Sequence, residues 1–169
     1  MMMLRRIIAI AVVGPLTLVA LYRCTYQRIR CSMIVATTEA QLLETMEHQN
    51  NYENIVVGRR VLDRLRGCDV WPVDVDVRMI TALAYRQMHQ YDRAIDTYTH
   101  LLAIHRRPEI YLSLGLTQVD AGLREEGLQN LVTACSFAPA MIETIDQAWM
   151  REEVRRRVAQ KFGQAWLSQ

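Results

Sequence analysis

The sequence predicts an all-α chain whose centre is a tandem of helical hairpins. Three observations carry this. Apolar residues recur three or four apart through residues 75–141, the spacing of one helix face. Small residues return at a fixed offset, Ala82 with Gly115 and Ala94 with Gly127, each pair 33 apart. Gly122 interrupts one apolar pattern and Pro139 stops the next, as turn residues do. One offset shared by two independent landmarks points to a single structural unit used twice.

Residues 1–35 come first. The run 7–22, IIAIAVVGPLTLVALY, is 16 uncharged residues bracketed by Arg5-Arg6 and Arg23. At 1.5 Å per residue it spans about 24 Å, against ~30 Å of bilayer hydrocarbon, and Leu4 with snorkelling arginines extends its reach. Three readings compete: a retained single-pass membrane anchor, a signal peptide cleaved near Leu18-Val19-Ala20, and a buried soluble helix. Arg23, Arg28 and Arg30, just beyond the apolar run, favour retention. Charge leaves the orientation tied, since Arg5, Arg6 and the amino terminus oppose those three arginines. The layout of an export signal places the rest of the chain on the extracytoplasmic side.

Residues 36–74 read as a degenerate hairpin and a loop. Leu42, Leu43 and Met46 suit one helix face, and Tyr52, Ile55 and Leu62 the next, with Asn50-Asn51 as the turn. GCDVWPVD, residues 67–74, reads as the loop. Asp74 and Asp76 precede a helix and suit N-terminal capping.

Residues 75–141 hold the two units. In the first, Ala82 and Tyr85 mark one helix, and Tyr91, Ala94, Tyr98 and Leu101 the second. In the next, Tyr111, Leu114 and Gly115 share one face, and Gly127, Leu131 and Ala134 share another. Glycine at 115 and 127 lets two helices approach closely. Residues 142–169 read as a C-terminal helix capping the array, with stripes at Ile142, Ile145 and Trp149 and at Val154, Val158, Phe162 and Trp166.

These landmarks resemble the tetratricopeptide repeat, a helix–turn–helix unit that recurs with a period close to the offset seen here. Tyr111, Leu114-Gly115, Gly122, Gly127, Leu131, Ala134 and Pro139 fill its places in order, and Gln118 replaces its late tyrosine. In the upstream copy, Arg59 stands where the family has an aromatic. The resemblance implies a curved α-solenoid whose first helices line a concave groove that binds a partner helix or an extended peptide. Its groove positions fall here on Met79, Leu83, Arg86, Leu112, Leu116, Val119 and Asp120. That groove would be apolar, with Arg86 and Asp120 at its margin. It lacks the lysines and asparagines that clamp a terminal carboxylate. The competing reading is that the C-terminal helix or the upstream hairpin fills it.

The formal charge of +2 hides an asymmetry, because residues 1–35 carry +5 and the remainder −3. A mildly acidic domain argues against nucleic-acid binding. Arg155-Arg156-Arg157 follow Glu152 and Glu153 at helical ion-pair spacing, so that run reads as a solvated face. Cys24 and Cys31 are too far apart on one helix for a disulfide, Cys68 lies in the loop, and Cys135 reads as a buried free thiol. His48, His89, His100 and His105 form no ligand pair, and no catalytic or phosphate-binding motif is present. The expectation is therefore a non-enzymatic protein without cofactor, metal or small-molecule substrate. Three roles fit: a membrane-tethered scaffold or assembly factor, a structural subunit of a membrane complex, and a secretion-type chaperone.

Overall fold

The computed structural model describes residues 21–22, 25–42, 51–68 and 74–163. All regular structure among them is helical: α1 (residues 25–42), α2 (Asn51–Leu65), α3 (Val75–Gln87), α4 (Tyr91–Ile104), α5 (Pro108–Asp120), α6 (Arg124–Phe137), a 3-10 turn (Pro139–Thr144) and α7 (Ala148–Phe162). From α2 onward, consecutive helices pack on one another. No described helix is long and apolar enough to cross a membrane, and the expected anchor lies outside the described residues except for Leu21 and Tyr22.

The hairpins α3–α4 and α5–α6 begin and end in register. Val75 and Pro108, Gln87 and Asp120, Tyr91 and Arg124, and Ile104 and Phe137 are each 33 apart. Local chemistry sets these bounds. The Asp74 carboxylate accepts from the amides of Asp76 and Val77 at 3.0 and 3.3 Å, satisfying donors that the first turn leaves free. Pro108 opens α5, where its missing N–H is not needed. Both first helices end alike. Gln90 N–H donates to the Tyr85 carbonyl and His89 N–H to that of Arg86. One unit later, Leu123 donates to Gln118 and Gly122 to Val119 in the same way. This closure needs a left-handed residue, supplied by Gly122 at φ 85° and by His89 at φ 56°.

Within the second hairpin the backbones nearly touch. A Cβ on Gly115 would lie 2.8 Å from the Gly127 carbonyl oxygen. Ala82 and Ala94 take the same places one unit earlier, and both are fully buried.

Three apolar clusters hold the helices. Tyr98 and Leu101 of α4 meet Ile110 and Leu114 of α5 in the middle. Leu131 and Cys135 of α6 meet Ile142, Ile145, Met150, Val154 and Val158 beyond it. Cys31 and Leu42 of α1 join Val61 and Leu65 of α2 and Val77 and Ile80 of α3.

Several details differ from the sequence expectation. Residues 25–42 form one helix that runs across position 35. In α2 the buried face is Gly58, Val61 and Leu65, while Tyr52 is 78% exposed and Ile55 also faces out. The cause is Gly58, where α2 crosses α3 so closely that a Cβ would lie 3.0 Å from the Ala84 carbonyl oxygen. That crossing turns Tyr52 outward. Leu43, Met46 and Asn50 lie outside the described residues, as do 69–73 of the loop and Trp166. At the C-terminal end the chain breaks between Ile145 and Ala148, which shifts the helical phase. Met150 therefore joins Val154 and Val158 in the core, and Trp149 and Phe162 are exposed.

Candidate functional site

The seven expected groove residues lie on α3 and α5, the first helices of the two hairpins. A polar contact joins the two helices near their C-terminal ends: Arg86 Nε donates to Asp120 Oδ2 at 2.7 Å. Both side chains are largely enclosed, 16% and 26% exposed, so the pair is more than a surface contact. Tyrosines flank it. Burial pushes the Tyr98 hydroxyl up to about 12, with Arg86 and a hydrogen bond to Ser113 acting the other way. Burial and the Asp120 carboxylate raise Tyr91, whose hydroxyl lies 2.8 Å from His89 Nδ1.

The apolar members are half-buried, and they divide among the clusters. Met79 packs on the middle one, Leu83 on the one that α1 and α2 share, and Leu112, Leu116 and Val119 on the α6–α7 side. The structure thus brings Arg86 to Asp120 directly but spreads the five apolar side chains along two helices. Each keeps some surface in solvent and each also supports the core.

On α7 the arginine run is committed. Arg157 makes a two-pronged contact with Glu125 of α6, at 2.6 and 3.0 Å, and also meets Glu153. Arg156 pairs with Glu153, and Arg155 with Glu143 and Glu152. Hydrogen bonds from Arg156 and Arg157 pull the Glu153 carboxyl down to about 2.

Sequence reasoning missed a disulfide, Cys31–Cys68, whose Cα atoms are 5.6 Å apart. It ties α1 to the end of α2, helped by Gln27 Nε2 donating to the Gly67 carbonyl at 2.6 Å. The cysteines are 37 residues apart and belong to different elements, so helical spacing carried no signal for them. Cys135 is a buried free thiol, raised to about 12 by desolvation. No group of three or more His, Cys, Asp or Glu among the described residues is placed to hold a metal ion. Also missed was a cleft where α2, α3 and α4 meet, lined by Arg59, Arg66, Arg78 and Arg93. Those arginines come from three helices and the turn after α2, and only tertiary packing gathers them. Compared with family models, curated proteins and solved structures, the chain matches none of them.

Proposed function

We propose that this chain is a membrane-tethered, tetratricopeptide-like scaffold, acting as an assembly factor or accessory subunit that holds a protein partner of a larger membrane complex. The observation that carries the reading is the register of the two hairpins, whose helix boundaries and turn hydrogen bonds all return at one common offset. Units stacked in that way build an extended surface suited to a partner helix or peptide. The half-buried face of Met79, Leu83, Leu112, Leu116 and Val119, with Arg86 and Asp120 beside it, is the surface offered to that partner.

The tether is supported by α1. Its outer side, away from the buried Cys31, presents Tyr26, Ile29 and Met33 at 59–65% exposure, in line with Tyr22. Tyrosines and arginines after an apolar run suit the headgroup layer of a membrane. The Cys31–Cys68 disulfide supports an extracytoplasmic location, because such bonds persist in oxidising compartments. It equally favours the second reading, an exported chaperone with a cleaved signal.

Alkaline carbonate extraction, N-terminal sequencing and quantification of co-purified subunits test the proposal together. The expected result is a membrane-retained chain with residues 7–22 intact and a protein partner bound. A fixed ratio identifies a subunit and a substoichiometric ratio an assembly factor. A soluble form beginning near Leu21 selects the chaperone.

A further inference from the structure

We propose that the cleft between α2, α3 and α4 is a docking site for an acidic peptide segment that also carries aliphatic side chains. This rests on the scaffold reading and names the chemistry of the partner. The cleft holds about 590 Å³. Arg59 of α2, Arg66 in the turn just after it, Arg78 of α3 and Arg93 of α4 bring cationic groups to it, while Asp63 is the one carboxylate among the described lining residues. That balance reverses the charge of residues 36–169, which carry 15 basic and 18 acidic side chains.

Outside the cleft, Arg86 is committed to Asp120, and Arg155, Arg156 and Arg157 are committed to glutamates. Among the described residues, Arg59 and Arg93 have no carboxylate partner. Arg93 is nonetheless held in place. Its guanidinium sits 5.7 Å from the Tyr85 ring centroid, and Nη1 donates to Gln90 Oε1 at 3.2 Å. A planar donor fixed on an aromatic face is organised for a carboxylate before one arrives. Arg66 meets Asp63 at 3.2 Å in an exposed contact that an incoming carboxylate can replace.

The floor of the cleft differs from its rim. Leu65 and Val77 are buried there, with Leu62 and Met88 half-buried, while Arg59, Arg66 and Arg93 are exposed. An apolar floor under a basic rim fits a segment that alternates aliphatic side chains with carboxylates. A bare phosphate, or a phosphodiester backbone, would neutralise the rim and leave the floor wet. The attraction is electrostatic at an open site, so it weakens with salt.

The test uses the full-length chain in neutral detergent and three probes: a labelled synthetic peptide alternating Glu and Leu, its Lys/Leu counterpart, and inorganic phosphate as competitor. Fluorescence anisotropy should show saturable binding of the Glu/Leu peptide that weakens as sodium chloride rises. Arg59→Gln with Arg93→Gln should weaken it about tenfold or more. Arg106→Gln with Arg107→Gln, an equal charge change on exposed residues outside the cleft, should leave it unchanged. Equal binding of the Lys/Leu peptide, indifference to the cleft variant, or displacement by phosphate beyond that caused by sodium chloride at the same ionic strength would each overturn the proposal. Capture of the membrane partner separates the two readings. A partner that co-purifies equally with the cleft variant sinks the cleft and leaves the scaffold standing. Peptide binding without any co-purifying partner keeps the cleft as an acidic-peptide site and sinks the scaffold.

Discussion

Gly115 and Gly127 face each other across α5 and α6, each placed so that an added Cβ would sit within 2.8 Å of the other's carbonyl oxygen. Helix propensity alone would make alanine an improvement at either place by about 0.5–1 kcal/mol. Leu131 and Val119 side chains also crowd these positions, but the carbonyl oxygens are backbone and cannot rotate aside. The contact therefore decides the sign. Gly115→Leu should cost about 1–3 kcal/mol, and Gly115→Ala should destabilise in the same direction by less. Thermal unfolding followed by circular dichroism measures it, and an unchanged midpoint would rule out the close crossing.

The matching turns allow a cleaner comparison. At Gly122 nothing lies within 4 Å of an added Cβ, so Gly122→Ala isolates the cost of a left-handed backbone, about 1 kcal/mol. His89 already bears that cost at φ 56°. His89→Gly should raise stability by up to about 1 kcal/mol, less the lost contact between its Nδ1 and the Tyr91 hydroxyl. Opposite shifts in the two melting temperatures are expected, and a gain from Gly122→Ala would contradict the turn geometry.

The ease with which sequence anticipates structure here follows the range of the interaction. Asp74 caps α3 and Gly115 meets Gly127 because the controlling contacts are local or lie within one hairpin. The shared offset locates two units because both are complete. Upstream that guide fails. Which face α2 buries depends on where Gly58 crosses Ala84 and Met88, a fact about another helix, so apolar spacing alone puts Tyr52 and Ile55 on the wrong side. The Cys31–Cys68 bond and the arginine cleft require separate elements to be docked before their residues become neighbours. Met79, Leu83 and Leu116 are legible as first-helix positions, but not as side chains shared among three clusters.

The disulfide should be measurable in the intact protein. Without reductant, alkylation and mass spectrometry should find Cys31 and Cys68 unlabelled, with Cys135 labelled only after unfolding. Cys68→Ser should lower stability by about 2–4 kcal/mol by freeing the link between α1 and α2. Earlier protease cleavage within residues 25–42 would report that release. Full labelling of Cys31 and Cys68 in freshly isolated native membranes would place this domain on a reducing side.

Acid should reveal the α6–α7 network. Glu153 is held near 2, below its ordinary 4.5, by hydrogen bonds first from Arg156 and then from Arg157, and Arg157 also depresses Glu125. A depressed carboxylate contributes stability that is fully present above the unfolded value of 4.5 and is lost as pH falls towards 2. Glu153→Gln should therefore differ from the parent by a constant amount at neutral pH, and the difference should shrink through that window. A difference that grows on acidification would reverse the assigned sign.

The surface on α3 and α5 poses the hardest separation, because the leucines proposed to meet a partner also support the core. Leu83 leans on the cluster built by α1 and α2, and Leu116 on that of α6 and α7. Leu83→Asp with Leu116→Asp sets two carboxylates on this face. Where a partner covers them they are desolvated without a counter-charge, which is costly; where solvent reaches them they are tolerated. Their half-burial predicts that partner capture collapses while helicity is retained and the melting temperature falls modestly. Parallel circular dichroism and membrane pull-down decide the matter. Lost helicity would assign both leucines to the core alone. Full capture with native helicity would move the partner to another surface, for which the arginine cleft, left intact in this variant, is the next to test.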